Sequence, residues 1–440
     1  MLILADKSCT YPTQPVKLPD IFRREFFKNV ATLVSGTTFV QVIAIMIYPV
    51  LSRIYTPEDF GLFGLYMSIV SISAIVATGK YEMAVMLPKK DNDAFNLLGL
   101  LALLAIAISL LILLVIVFFN VPLSIMLGNE QIAPWLWFIP LSTLLVALFQ
   151  GLKFYSNRHK KYKLITVANM GQSLTNSAGK VSIGPFVPGP SGMIAGTILG
   201  QLGGFLVFVV MVYKNIKGIR SGMSWTRMKQ LAREYSLFPK YNMLQGVMNN
   251  FSSAIPVFVF NSYFTASIAG FYTIGYSLLY RPLSLVTIAF YQVLSQRIIE
   301  MNNREERIYP DIRKFLFRLL QLVVIPFILV AIFAPVIFRV VLGPEWEEAG
   351  RYTQIIVPWL FVTSLTMPLS FIPDMFRRQR KAMILDAVKF ALRITAMIIG
   401  VIHQDVYLGL LLFSLSSTFM IMYSLLWYIS MVRKKDKTRI

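Results

Sequence analysis

One cysteine, Cys9, and two histidines, His159 and His403, are all that this chain of 440 residues offers of those ligand types. A lone cysteine builds no disulfide framework and no CxxC metal site. No HExxH pair, no His–Cys cluster and no GxxxxGK[ST] phosphate loop is present either. No metal, cofactor or ATP site is therefore expected, and no catalytic constellation emerges. Charge is scarce as well: 14% of residues are charged against 56% hydrophobic, with a mean hydropathy of +0.65. A soluble domain of this size needs more charged surface than that. The composition is that of an all-α integral membrane protein.

Acidic residues are the scarcer sign, 21 against 42 Lys and Arg, for a net charge of +21. In a soluble protein that excess would suggest nucleic acid; here position decides. Apolar runs near the ~20 residues that span a bilayer recur at 29–52, 60–79, 94–119, 132–152, 163–184, 192–213, 241–262, 268–292, 313–338, 353–373, 382–402 and 407–431. With twelve spans both termini share one side, and 34 of the 42 basic residues fall on that side. The positive-inside rule makes it the cytoplasmic side. The net charge is thus mostly a topology signal, and no nucleic-acid partner is needed. The opening "MLILADKSCTYPTQPVKLPD" lacks an apolar h-region and reads as a polar tail.

The expected organisation is a cytoplasmic tail (1–28), a six-helix lobe (29–213), a cytoplasmic linker (214–240), a second six-helix lobe (241–431) and a basic tail (432–440). In the linker, Trp225, Met228, Leu231, Ala232 and Tyr235 share one helical face. That predicts an amphipathic helix at the membrane surface; a solvated linker helix is the alternative.

The two lobes look alike. "YTPEDFGLFGLYMSIVS" aligns with "FTASIAGFYTIGYSLLY" at a shift of 209, pairing Thr56 with Thr265 and Gly61 with Gly270. "NRHKKYKLI" aligns with "RRQRKAMIL" at a shift of 220, pairing Arg158 with Arg378 and Lys161 with Lys381. Both place span n against span n+6. Parallel repeats about an axis along the membrane normal follow, an arrangement suited to rocking about a central cavity.

Two related spans carry polar stripes. In "ILDAVKFALRITAMIIGVI", Asp386, Lys389 and Arg393 lie three and four apart, on one helical face. At ~1.5 Å per residue, Lys389 lies roughly 10 Å and Arg393 roughly 16 Å from the cytoplasmic end. Their counterparts are Thr166, Asn169 and Ser173, a hydrogen-bonding line that takes in Gln172 and runs through Asn176 to Lys180. Arg281 is also near mid-depth. Charges at such depth face a bundle interior or a wet cavity. The cationic group Arg281, Lys389, Arg393 and Lys180 suits an anionic, phosphate-bearing substrate, and Asn169, Gln172, Ser173 and Asn176 are candidates for sugar contacts. For Arg281 and Arg393 helix–helix packing is the competing reading, and for Lys180 it is reach to the outer interface. Asp386 either neutralises Lys389 or couples an ion; Glu82 either pairs with Lys80 or does the same.

The stretches "YTPEDFGLFGLYMSIVSISAIVATGKYEMAVMLPKK" and "EYSLFPKYNMLQGVMNNFSSAIPVFVFNSYFTASIAGFYTIGYSLLYRPLSLV" resemble bacterial O-antigen and capsule-type oligosaccharide-lipid flippases. The likeness includes the Phe238-Pro239 pair and Gly270-Phe271-Tyr272, and covers essentially the whole chain. These flippases belong to the multidrug, oligosaccharidyl-lipid and polysaccharide exporter superfamily. The resemblance implies movement of undecaprenyl-diphosphate-linked sugar repeats across a bacterial cytoplasmic membrane, without covalent change. Partners would be the lipid-linked oligosaccharide, membrane lipids, and polymerase and chain-length proteins of the same pathway. It also implies a cationic cavity between the lobes, a role that Arg281, Lys389 and Arg393 match by chemistry and depth, with Lys180 further along. A multidrug-cation antiporter of the same superfamily is the first alternative, but the shortage of buried acids opposes it. A membrane polymerase or ligase is the second, disfavoured by the short outer loops.

Overall fold

The computed structural model describes residues 42–216 and 223–437. The expectations for the N-terminal tail, most of the first span, part of the linker and the last three residues lie outside the described residues. In chain order the longer helices are α1 (Val42–Ile54), α2 (Pro57–Thr78), α3 (Asp91–Met126), α4 (Ile139–Arg158), α5 (Tyr162–Ile183), α6 (Ser191–Ile216) and α7 (Trp225–Glu234). They continue with α8 (Leu244–Tyr263), α9 (Ala266–Asn303), α10 (Tyr309–Val341), α11 (Glu347–Thr366), α12 (Gln379–Ile402) and α13 (Val406–Lys437). No strand occurs among the described residues.

Among the described residues eight helices are long and apolar enough to cross a membrane: α2, α3, α4, α6, α9, α10, α13, and α11 with its flanking turns. The expected spans at α5, α8 and α12 are helices of 22, 20 and 24 residues that fall short in apolar character. All three carry polar residues at helical spacing, and those residues lower the mean. Several helices outrun the apolar runs that predicted them. α9 has 38 residues, about 57 Å against the ~30 Å of a hydrocarbon core. The apolar run stops near residue 292, but Gln, Arg, Glu and Met beyond it are good helix formers.

Two contacts set the arrangement around the centre. Thr56 caps α2, accepting from the Asp59 amide at 3.3 Å while the Asp59 carboxylate accepts from the Thr56 amide at 2.9 Å. Thr265 caps α9 by accepting from the Ile268 amide at 3.3 Å. Just inside these caps α2 crosses α9 with Gly61 and Gly270 at the crossing point. A Cβ on Gly61 would overlap the Ala266 carbonyl, and one on Gly270 would overlap that of Pro57. The second contact joins α5 to α6. Gly196 and Gly200 abut backbone and inner side-chain atoms of Lys180 and Asn176, the small-residue spacing that lets membrane helices approach closely. This contact fixes the rotation of α5.

Local irregularities have identifiable causes. α3 bends at Phe119 (φ −126°, ψ 22°), three residues before Pro122. The Phe238–Met243 turn is a π-helix carrying Pro239 in its first turn; proline lacks the amide a regular turn would use. The linker helix α7 packs against α3. Met228 and Leu231 are buried in one cluster with Phe95, Leu97 and Leu98 of α3, and Arg227 forks onto Asp93 at 2.7 and 2.8 Å. That bond raises the Arg227 pKa above its ordinary value. The apolar face therefore packs mainly against the bundle, with Trp225 left exposed.

Candidate functional site

A cavity of about 970 Å³ opens between α1, α2, α4, α5 and α6 on one side and α8 and α9 on the other. Among the described residues its charged lining consists of Lys153, Lys180 and Arg281, with no carboxylate. α5 supplies one wall. Because Gly196 and Gly200 hold its other side against α6, Asn169, Gln172, Ser173, Asn176 and Lys180 all reach the cavity. α8 contributes Asn250 and Ser253, while Tyr272, Tyr276 and Arg281 come from α9.

Lys180 is only 8% exposed, with its amino group 4.3 Å from the Phe63 ring centre. Its backbone carbonyl accepts a 2.7 Å hydrogen bond from the Tyr55 hydroxyl. The Arg281 guanidinium lies 5.4 Å from the Tyr48 ring centre, and both cations line the same cavity. Among the described residues neither has a carboxylate within ion-pair distance. Aromatic faces stabilise a cation modestly, and charges left unpaired at depth call for an anion.

The structure divides the cations named from the sequence. Arg281 and Lys180 line the cavity; Lys389 and Arg393 do not. Arg393, 3% exposed, donates to Ser417 at 2.8 Å and to Ser252 at 3.0 Å, with Trp359 and Phe413 ring centres 4.7 and 4.8 Å away. It ties α8, α11, α12 and α13 together behind the cavity wall. Lys389 is bonded to Asp386 at 2.7 Å, both partly exposed. Glu82 is buried, 3.6 Å from the Lys80 amino group, and is absent from the cavity lining.

The sequence reading missed two contributions. Lys153, counted with a cytoplasmic loop, sits inside α4 and faces the cavity; its signal was adjacency to the apolar run that forms α4. Tyr272, Tyr276 and Tyr280 recur every four residues and stack with ring centres 5.9 and 5.0 Å apart. The first two line the cavity, and the Tyr272 hydroxyl is buried with no hydrogen-bond partner among the described residues.

One end of the cavity is closed by side chains from both halves of the chain. Trp346 donates from its indole to the Ser52 carbonyl at 3.2 Å and meets Phe60 edge-on at 5.1 Å; Ser52 donates to the Leu342 carbonyl at 2.8 Å. Tyr48, Leu51 and Met193 belong to the same buried cluster as Phe338 and Leu342.

A helical bundle encloses a polar cavity closed at one end by side chains from both halves of the chain, and several solved structures share this fold. The chain is similar to the lipid II flippase MurJ in an inward closed conformation, at 15% identity over 92% of this chain and 90% of that one, TM-score 0.68. It is similar to a point mutant of the Vibrio cholerae MATE transporter VcmN, at 16% identity over 94% and 98%, TM-score 0.63. An inward-facing multidrug resistance MATE transporter of the MOP superfamily aligns at 14% identity over 91% and 95%, TM-score 0.62. The fold is shared and the chain is a multi-pass membrane protein. Residues 50–351 match the family described as "Polysaccharide biosynthesis protein", and the chain belongs to that family. No curated protein matches it.

Proposed function

We propose that this protein flips undecaprenyl-diphosphate-linked oligosaccharide repeats, of O-antigen or another surface polysaccharide, from the inner to the outer leaflet of a bacterial cytoplasmic membrane. The observation that carries this reading is the cavity's charge: among the described residues its lining holds three cations and no carboxylate. Arg281 and Lys180 hold the diphosphate, Arg281 through the planar fork that suits phosphate oxygens. Lys153 meets the head group on entry. The hydroxyl and amide face of α5, with Tyr272 and Tyr276 opposite, takes the sugars, and the polyprenyl tail stays in lipid.

In this reading twelve spans form two six-helix lobes, 29–213 and 241–431, with both termini cytoplasmic. The lobes rock about the cavity. The end closed by Trp346, Phe60 and Ser52 is then extracytoplasmic and the conformation inward-facing. Asp386 and Glu82, each beside a lysine and away from the cavity, serve as structural partners rather than ion couplers. Binding of the head group offsets the cost of unpaired charge at depth, so no covalent step is needed.

Likeness to MATE transporters favours a second reading, export of organic cations. A cavity whose described lining carries only positive charge repels such cargo. Reconstitution separates the two: proteoliposomes holding the full chain are given a fluorescent lipid-diphosphate oligosaccharide or an organic cation. Movement of the lipid alone supports the flippase; movement of the cation alone overturns it.

A further inference from the structure

A second basic site lies where the start of α12 meets the end of α13. Arg378 and Lys381 from the first, with Tyr423, Trp427 and Lys434 from the second, line a groove of about 580 Å³. The Lys381 amino group lies 4.8 Å from the Trp427 ring centre and 5.7 Å from that of Tyr423. Tyr423, Trp427 and Lys434 follow one another at helical spacing on one face of α13. Two backbone amides pin that helix end: the Asp436 carboxylate accepts from Ile308 and Tyr309 at 2.9 and 2.7 Å.

The internal repeat supplies a control for what these cations do. Arg158, which corresponds to Arg378 at the shift of 220, is occupied: it pairs with Asp91 at 3.0 Å and donates to the Met86 carbonyl at 3.2 Å. Arg378, Lys381 and Lys434 have no carboxylate partner among the described residues. At the same repeat position, one half of the chain uses its arginine to hold a loop. The other leaves it facing a groove with two further cations and an aromatic wall.

We infer that this groove binds the phosphate head group of an anionic glycerophospholipid. The three cations meet the phosphate; Tyr423 and Trp427 sit at head-group depth, where amphipathic rings are favoured; and the exposed Leu426 beside them contacts the upper acyl chains. Basic pockets between membrane helices on the cytoplasmic side attract such lipids, in a leaflet of negative surface potential. That the groove lies at the cytoplasmic leaflet rests on the orientation proposed above; binding itself does not depend on transport. The lipid would brace the junction of α12 with α13 from outside the lobe.

The test uses the full-length protein in detergent. Quenching of its tryptophan fluorescence by brominated phosphatidylglycerol is compared with quenching by brominated phosphatidylcholine, and a Trp427→Phe variant identifies the component from the groove. The inference expects stronger quenching of the Trp427 component by phosphatidylglycerol, with affinity falling about five-fold for each cation removed in Arg378→Gln, Lys381→Gln and Lys434→Gln. Equal quenching by both lipids overturns it, as does an unchanged preference in the triple variant. Full displacement by inorganic phosphate at the lipid's own concentration would point to a free anion and also overturn it. Each variant is checked for folding by its thermal unfolding profile, and Lys381→Arg is expected to retain the preference. A flipping assay on the same variants keeps failure here distinct from failure of the transport reading.

Discussion

Gly61 and Gly270 face one another across the crossing of α2 and α9, and each stands to the other in the same relation. A Cβ on Gly61 would come within 3.1 Å of the Gly270 nitrogen, and one on Gly270 within 3.0 Å of the Gly61 nitrogen. The carbonyls they would strike belong to Ala266 and Pro57, themselves 209 residues apart. Sequence equivalence and spatial equivalence coincide here, which supports the reading of two duplicated halves meeting about a local two-fold axis.

Either glycine enlarged to alanine forces the helices apart. Gly61→Ala and Gly270→Ala should each destabilise the protein by about 1–3 kcal/mol, by similar amounts, and the double variant by less than the sum. Thermal unfolding in detergent measures this. A large effect at one glycine and none at the other would break the equivalence.

Arg393 and Arg281 should part company on truncation. Arg393 holds two hydroxyls and two ring faces in a dry interior, so Arg393→Ala should cost about 2–4 kcal/mol. Arg281 is half-buried beside the cavity, and Arg281→Ala should stay within about 0.5 kcal/mol of the parent. Unfolding midpoints of the two variants decide the matter; a stable Arg393→Ala would place that arginine outside the scaffold.

Neutralising the Asp386–Lys389 pair should matter little. Partly exposed pairs contribute about 0–1 kcal/mol, and neither residue lines the cavity. Asp386→Asn with Lys389→Gln should retain transport and its response to an imposed pH gradient. Loss of that response in a folded variant would assign ion coupling to Asp386.

Trp346 should act as part of the extracytoplasmic closure. In a Cys9→Ser background, a cysteine introduced by Ser277→Cys in the cavity lining should react with a membrane-impermeant thiol reagent from the cytoplasmic side. Adding Trp346→Ala removes the Ser52 hydrogen bond and the Phe60 contact, so labelling from outside should rise. Equal labelling from both sides before that change would contradict an inward-facing state.

Much of the architecture was legible because membrane helices announce themselves: apolar runs marked the eight described helices of membrane length, and the Thr–Gly pattern after the first span marked the glycines at the crossing of α2 with α9. The polar face of α5 was readable for the same reason, since Asn169, Gln172, Ser173 and Asn176 have no place in lipid. What depth and spacing leave open is which neighbour a charge meets. Arg393 and Arg281 looked alike as mid-membrane arginines, yet Ser252, Ser417, Trp359 and Phe413 enclose one while the other reaches the cavity. Those partners come from three other helices, so nothing local to "ALRITAM" reveals them. Lys153 escaped notice for the opposite reason: charge at the end of an apolar run reads as loop, although the helix continues to Arg158.

The central claim is that the cavity's cations bind a lipid diphosphate, and its most direct test is the rate of flipping in proteoliposomes. A lipid-diphosphate oligosaccharide is supplied to the wild type, to the double variant Lys180→Gln/Arg281→Gln, and to Lys389→Gln, at matched levels of folded protein. The account predicts that the double variant loses flipping while Lys389→Gln keeps it. Flipping by the double variant at the wild-type rate, with the cavity's two deepest charges gone, would contradict it.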